Sequence, residues 1–362
     1  LAFDVGGLSY SVINATDVGV TGRASGNTAT DIVIPDTVVD SGTTYSVTTI
    51  GDVAFADNAL TSVIIPGSVT SIGISAFYNN ALTSVIIPDS VTTLGGFSNN
   101  LLTSVIIPDS VTAISLYAFT NNDLTSVIIG NSVTTIRGAA FQNNALTSVI
   151  IPDSVTSIGI SAFYGNALTS VIIPDSVTTI GAWAFGSNAL TTVVIPDSVT
   201  TIGDYAFATN ALTSVIIPDS VTTIGAWAFG SNALTTVVIP DSVTTIGDYA
   251  FNSNDLTSVI IGNSVTSIGG GAFADNALTS VIIPDSVTAL DGFAGNLLTS
   301  VIIPDSVTTI GQNAFNSNDL TSAAFEGDFG SFNLNMFYNN LALAAITYCD
   351  VKTGWPQGFN NG

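Results

Sequence analysis

The sequence contains no histidine, one cysteine and only three basic residues among its 362 residues. Without histidine, the commonest general base and metal ligand is missing. A single cysteine, Cys349, excludes both a thiolate zinc site and a disulfide framework. The three basic residues, Arg23, Arg137 and Lys352, cannot neutralise a phosphate backbone, so we expect no binding of nucleic acid.

Charged residues are also scarce, at 8%, yet the formal net charge is −23. No segment reaches the roughly 18 consecutive apolar residues of a membrane-spanning helix, so no membrane span is expected. The acidic, lysine-poor composition favours an extracellular or salty setting. Because the chain begins with Leu1 and shows no signal peptide, we expect a processed product or a fragment of a longer protein.

What the sequence does contain is a repeat. The string Leu-Thr-Ser/Thr begins at Leu60 and recurs to Leu320, mostly at intervals of 22 residues and twice at intervals of 20. A typical unit is LTSVIIPDSVTTIGAWAFGSNA, residues 168–189, and a divergent unit at 31–55 precedes the array. One such unit is too small to bury a core alone, so the units are expected to stack and share one.

Each unit predicts two short strands and one irregular side. In residues 168–174 the apolar side chains alternate as in a half-buried strand, and Pro174 ends it because proline cannot donate to a ladder. Residues 176–181 form a second β-branched segment that ends at a glycine. Ala184 and Phe185 follow as core residues, and Asn188 returns the chain to the next strand.

The motif LxxVxIPxSVxxIGxxAF resembles the BspA-like leucine-rich repeat over residues 31–322. The resemblance implies a mainly β, right-handed solenoid of about fourteen coils with two parallel sheets. Residues 1–30 and 323–362 depart from the motif and are expected to form caps. The resemblance also implies a secreted or cell-surface protein of bacteria that has no enzymatic activity and serves in adhesion or partner binding.

Equivalent positions of stacked coils form rows, and two of these rows are predicted to be structural. Asparagine occupies one position without exception from Asn58 to Asn318, where its amide can bond the backbone of neighbouring turns. Phenylalanine occupies another position from Phe55 to Phe315 and is expected to form a core spine.

A third row is apolar but is predicted to face outward, because it alternates with buried valines. Its central members are Ile128, Ile150, Ile172, Val194, Ile216, Val238 and Ile260. One interpretation is that isoleucine is simply a good strand former whose neighbours cover one another. The other is an interface for a partner protein or for another copy of the chain, since such a stripe exceeds what monomers normally expose.

The residue after the repeat's proline is usually aspartate. This row includes Asp153, Asp175, Asp197, Asp219 and Asp241, and it is interrupted by Asn131 and Asn263. Stacked carboxylates repel one another, so the row is expected to be exposed, with each side chain capping its own turn. Loose binding of Ca²⁺ between coils is the alternative, although no unit has the spacing of a calcium loop.

The most variable position holds Trp183, Tyr205, Trp227 and Tyr249 in four successive units. These rings suit stacking on a sugar or a protein contact, or else they lie flat over the adjacent turn. Thr-Thr pairs such as Thr178-Thr179 and Thr222-Thr223 line the second strand. They are ordinary exposed strand residues or, alternatively, an ice-binding array.

Catalysis has little support, because no serine has a histidine or a nearby lysine to activate it. We therefore expect a non-enzymatic adhesin that binds a protein or glycan through the isoleucine row or the aromatic row. A self-associating structural subunit of an extracellular filament or surface layer is the alternative, and ice binding is a third hypothesis. No cofactor is expected apart from the loosely held Ca²⁺.

Overall fold

The computed structural model describes residues 2–327 and 334–348 of the chain. The chain divides into two compact units, Leu1–Leu190 and Thr191–Gly362. Cys349 and half of the predicted C-terminal cap lie outside the described residues.

The first unit opens with six strands that precede the regular repeats. They are β1 Ala2–Val5, β2 Leu8–Val12, β3 Asp17–Arg23, β4 Asp31–Val33, β5 Thr37–Asp40 and β6 Thr43–Ile50. Strands β1, β2 and β3 form an antiparallel sheet, and β3 then pairs in parallel with β6. Val18 and Val20 of β3 are fully buried, so this sheet covers the open end of the first coil's core. Burial also raises the pKa of Tyr10.

The repeats of the first unit supply short strands of two or three residues. These are β7 Ser62–Ile64, β8 Ser71–Ile72, β9 Thr93–Leu94, β10 Ser104–Ile106, β11 Ala113–Ile114, β12 Ser126–Ile128, β13 Thr135–Ile136, β14 Ser157–Ile158, β15 Ser170–Ile172 and β16 Thr179–Ile180. The two-residue strands pair in parallel and in register from coil to coil, so that Ile136 lies beside Ile158 and Ile158 beside Ile180.

The second unit repeats the same plan. Its elements are β17 Thr192–Val194, β18 Thr201–Ile202, β19 Thr223–Ile224, β20 Thr236–Val238, β21 Thr245–Ile246, β22 Ser258–Ile260, β23 Ser267–Ile268, β24 Ala289–Leu290, β25 Ser300–Ile303, β26 Thr309–Ile310, β27 Ser322–Phe325, a 3₁₀ helix Leu334–Phe337 and β28 Ala345–Tyr348. The fold is therefore mainly β and built from stacked parallel strands, as the repeat predicts. The second strand of the coil occurs seven times in the first unit, counting the end of β6, and six times in the second unit, so the described residues contain about thirteen turns.

The core of each unit is a column of phenylalanine rings, which confirms the predicted spine. In the first unit the rings from Phe55 to Phe185 stack with centroids 4.9 to 5.7 Å apart, and in the second those from Phe207 to Phe337 stack at 5.3 to 5.9 Å. Neighbouring planes are nearly parallel, so each ring covers the next. Phe337 continues the column beyond the last recognisable repeat, inside the segment that the sequence pattern assigns to the cap.

The asparagine row joins each turn to its neighbour, as predicted. The amide nitrogen of Asn122 donates to the carbonyl oxygen of Phe97 in the preceding coil at 3.0 Å and to that of Phe119 in its own coil at 3.2 Å. Its amide oxygen accepts from the backbone N–H of Leu102 at 3.1 Å. Asn122 is buried, so no solvent is available to replace these bonds.

The serine that follows each aspartate of the aspartate row makes a second set of hydrogen bonds between coils. The Ser154 hydroxyl donates to the carbonyl oxygen of Val133, and that of Ser176 donates to Val155, each at 2.6 Å. The same bond recurs in the second unit from Ser220 to Val199 and from Ser242 to Val221. Short polar side chains therefore connect the coils at two corners.

Two coils are shorter by two residues, and each changes the turn after the second strand. At this turn most coils have glycine, and at Gly225 an added Cβ would lie 2.6 Å from the backbone nitrogen of Asp204. The short coil at residues 278–297 has Asp291 there instead. Asp291 is partly buried, and this desolvation, followed by repulsion from Asp248, raises the pKa of its carboxyl above the ordinary value.

Replacement of Asn122 by alanine should destabilise the first unit by about 2–4 kcal/mol, because it leaves buried backbone groups of Leu102 and Phe97 without partners. Hydrogen exchange should show the Leu102 amide exchanging faster in Asn122→Ala. The exposed Asn131 provides the matched control, since Asn131→Ala removes the same group from a surface position. Equal stability of the two variants would contradict the structural role of the row.

Replacement of Asp291 by asparagine should stabilise the second unit at pH 7. Because the pKa of Asp291 is raised in the folded state, ionising its carboxyl destabilises the fold. The contribution of the protonated carboxyl to the free energy of unfolding is fully present below the ordinary carboxyl pKa, and it is lost as pH rises through the pKa of the folded state. Asn keeps the shape without the charge, and Tm should rise by about 2 °C or less at pH 7. The difference should vanish near pH 3. Asp285→Asn, at an exposed site, controls for net charge, and a Tm gain there equal to that of Asp291→Asn would refute the burial effect.

Candidate binding surfaces

The first strand of each coil presents its isoleucine to solvent. In β10, β15 and β20 the burial pattern is exposed, buried, exposed, so the central valine enters the core while the flanking serine or threonine and the isoleucine or valine face outward. This confirms the outward direction predicted for the third row. In the paired strands its members are 55–67% exposed, apart from Ile172 at 78%.

Pairing along this row is interrupted, which the sequence analysis did not predict. Strands β4 and β7 pair in the first unit, as do β10 and β12, and in the second unit β20 pairs with β22 and β25 with β27. Between these pairs, the equivalent segments 84–86, 148–150, 214–216 and 280–282 form no strand. Their isoleucines, Ile86, Ile150, Ile216 and Ile282, are 83–86% exposed because these segments do not pair with a neighbouring strand.

A glycine explains where two of the pairs form. Gly130 replaces the repeat's proline after β12, and an added Cβ there would lie 2.6 Å from the carbonyl oxygen of Pro108. The resulting close approach allows the backbone N–H of Asn131 to donate to the Asp109 carboxylate at 2.6 Å. Gly262, Asn263 and Asp241 repeat the arrangement after β22. The sequence Gly-Asn, where other coils have Pro-Asp, therefore indicates coils whose first strands pair.

The interruption at residues 148–150 opens a cleft of about 290 Å³ within the first unit. Its walls are formed by Ser148, Val149, Ile150, Ile151 and Asp153 of one coil and by Ser170, Val171, Ile172 and Pro174 of the next. No backbone hydrogen bond between the described residues joins segment 148–150 to β15. The cleft therefore combines apolar side chains with a carboxylate and with unpaired backbone groups.

The aspartate row borders the isoleucine row and is exposed throughout, including Asp153, Asp175, Asp197, Asp219 and Asp241. Asp153 lines the same cleft as Ile150, which places the two rows side by side. Among the described residues, no three His, Cys, Asp or Glu side chains converge in a group suited to a metal ion. Binding of Ca²⁺ stays a prediction.

The first coil has an aspartate at the outward position that later coils fill with serine or threonine. Asp31 of β4 stands where later coils have serine, and its carboxylate accepts from the hydroxyls of Ser62 at 2.6 Å and Thr61 at 3.1 Å. These hydrogen bonds, chiefly that from Ser62, lower the pKa of Asp31. The outer face is therefore negatively charged from its first coil.

The aromatic row forms a stack in the second unit. The ring centroids of Tyr205 and Trp227 are 6.0 Å apart with an interplanar angle of 5°, and those of Trp227 and Tyr249 are 4.8 Å apart at 22°. Tyr249 leans over Gly271, where an added Cβ would lie 2.5 Å from the ring. In the first unit, Trp183 meets Tyr164 edge to face at 5.3 Å.

This stacking limits what the aromatic row can bind. The facing sides of Tyr205, Trp227 and Tyr249 contact one another, whereas sugar stacking needs an open ring face. All four residues of the row have φ between 56° and 61°, a left-handed backbone that bulky side chains rarely adopt. The stack therefore presents mainly ring edges to solvent, with Tyr249 the most exposed.

The threonine row of the second strand is exposed, but its hydroxyl protons are already engaged. The Thr134 hydroxyl donates to the carbonyl oxygen of Thr112 at 3.1 Å and that of Thr156 donates to Thr134 at 3.3 Å. Thr244 and Thr266 of the second unit do the same. These hydroxyls can therefore only accept further hydrogen bonds from outside.

Comparison with known structures gives the same fold. A leucine-rich cell surface protein from Faecalibacterium prausnitzii shares 24% identity over 96% of this chain and 94% of its own, with a TM-score of 0.51. The pneumococcal vaccine antigen PcpA shares 17% identity over 91% of this chain and 94% of its own, with a TM-score of 0.60. Comparison with curated protein sequences gives no match.

The family comparison covers most of the chain. The model described as BspA type leucine rich repeat region (6 copies) matches residues 38–147, 134–257, 184–292 and 244–359. These ranges include every strand of the repeat array from β7 onward, together with the phenylalanine and asparagine positions that build its core. The chain therefore belongs to the BspA-type leucine-rich repeat family.

Proposed function

We propose that the chain is a non-enzymatic binding protein of a bacterial surface or of the extracellular space, and that its outward isoleucine row recognises a partner protein. The observation that carries this proposal is the alignment of exposed β-branched side chains along the first strands of each unit. Leucine-rich repeat proteins typically bind proteins, and the family membership supports the same general role.

The apolar area of the row supports an interface. Six members lie in the first unit, from Ile64 to Ile172, and each is more than half exposed. An isoleucine side chain offers on the order of 100 Å² of apolar surface, so the row exposes several hundred Å² in one unit. Patches of this size on a monomer commonly mark interaction sites. Serine and threonine beside each isoleucine supply hydrogen-bonding groups at the rim.

The location is supported by composition and by the related folds. One structural neighbour is a cell surface protein and another is a pneumococcal vaccine antigen. Among the described residues, no helix has the length and apolar character needed to cross a membrane.

Charge favours a foreign partner over a second copy. The isoleucine row is bordered by exposed aspartates, and residues 191–348 contain no lysine or arginine. Two copies meeting through this face would bring their aspartate rows together, and like charges in an interface are strongly disfavoured. A partner with basic residues around an apolar patch has the complementary surface.

The first test measures binding of the purified chain to arrays of extracellular proteins and of glycans. The triple variant Ile128→Thr, Ile150→Thr and Ile172→Thr keeps β-branched residues but removes apolar surface. We expect it to lose at least about tenfold in affinity for a protein on the array, since each site gives up a fraction of a buried isoleucine's transfer free energy.

The matched control is Thr134→Ser, Thr156→Ser and Thr178→Ser, which alters three exposed residues directly before the second strands of their coils while keeping their hydroxyls. It should bind within twofold of the unchanged chain. Light scattering should give a monomer at micromolar concentration. Equal binding by the two triple variants, signal on glycans alone, or a stable oligomer lost in the isoleucine variant would each overturn the proposal.

A further inference from the structure

We propose that the cleft between segment 148–151 and segment 170–174 receives an arginine side chain of the partner protein. This inference rests on the proposed function, because it specifies part of the partner's chemistry at the isoleucine row. In this cleft the isoleucine row, the aspartate row and unpaired backbone meet.

The size of the cleft suits one long side chain. Its volume of about 290 Å³ lies just below the range for small-molecule pockets, which is roughly 300–1,000 Å³. Val149, Ile150, Val171 and Ile172 provide apolar walls. The methylene stem of an arginine buries against such surfaces while its charged head remains at a polar edge.

The polar groups of the cleft include several acceptors. The Asp153 carboxylate lies at its border, and in the described chain it makes no hydrogen bond to another protein group. Ser148 and Ser170 add hydroxyls, and the unpaired carbonyls of segment 148–150 add backbone acceptors. A guanidinium offers five N–H donors and no acceptor, so it matches this set better than a neutral or anionic group does.

Comparison within the aspartate row shows why Asp153 is available. Asp109 occupies the same position two coils earlier, but its carboxylate accepts the backbone N–H of Asn131. That bond depends on Gly130, whereas the coil after Asp153 has Pro174 at the equivalent site. A hydrogen bond thus closes the gap between neighbouring coils at Asp109, whereas the gap at Asp153 is open.

The chain does not supply the cation itself from the neighbouring strands. Its only basic residue between positions 24 and 351 is Arg137. Arg137 directly follows β13, which is the second strand of its coil, whereas the cleft is formed by first-strand segments. A partner must therefore bring the positive charge. Arginine is favoured over lysine because its planar group is more weakly hydrated and can bond a carboxylate with two N–H groups at once.

The test uses the whole chain with labelled isoleucine methyl groups, followed by NMR during titration with n-butylguanidinium. The methyl signals of Ile150 and Ile172 should shift, whereas the neutral isostere n-butylurea should cause no comparable shift. Asp153→Asn should weaken n-butylguanidinium binding at least about fivefold, because a charge-assisted hydrogen bond is lost. Asp109→Asn, in the closed part of the row, should bind within twofold of the unchanged chain.

An equal response to n-butylurea, or equal binding by Asp153→Asn and the unchanged chain, would overturn the inference. The array experiment separates this failure from that of the proposed function. If a protein on the array depends on the isoleucine row but binds Asp153→Asn normally, the cleft proposal is wrong and the function stands. If no protein binds while n-butylguanidinium binds through Asp153, the cleft is a guanidinium site and the proposed function is wrong.

Discussion

The hydrogen bonds of the asparagine row are the interaction on which each coil depends. A unit of 22 residues has no core of its own, and its turn leaves backbone groups buried between neighbours. One amide satisfies groups of two successive turns, as Asn122 does for Leu102, Phe97 and Phe119. The phenylalanine column then fills the interior beside it. With stability provided by two invariant positions, the outward positions of the coil are left free to vary or to bind.

The exposure of the isoleucine row varies along the outer face. Coils that pair closely, such as those of β10 and β12, partly shield their isoleucines, whereas coils outside the pairs expose theirs almost completely. The same interruptions release backbone groups and, at Asp153, a carboxylate. A nearly cation-free chain therefore presents apolar and acidic groups together. The physical complement of such a face is an apolar surface that carries basic side chains.

The sequence predicted the periodic part of the structure well. Alternation placed Val171 inside and Ile172 outside, and the invariant Asn and Phe positions indicated their structural roles. It did not reveal the pairing interruptions, because residues 148–152 and 170–174 have the same five letters although only the second segment contains a strand. That difference depends on spacing between coils, to which Gly130 and Gly262 were the local signals. The sequence placed Tyr205, Trp227 and Tyr249 in one row but did not predict that their rings stack on one another.

The central claim is that the open segments of the isoleucine row form the contact surface, and hydrogen exchange tests it most directly. In the free chain, amides of Val149, Ile150 and Ile151 should exchange faster than the amide of Ile107, because they lack partners whereas Ile107 donates to the carbonyl oxygen of Ile128 at 2.9 Å. In complex with a protein captured on the array, the same fast amides should become protected. Protection confined to the threonine strand or to the aromatic row, with the open segments still exchanging fast, would contradict the account.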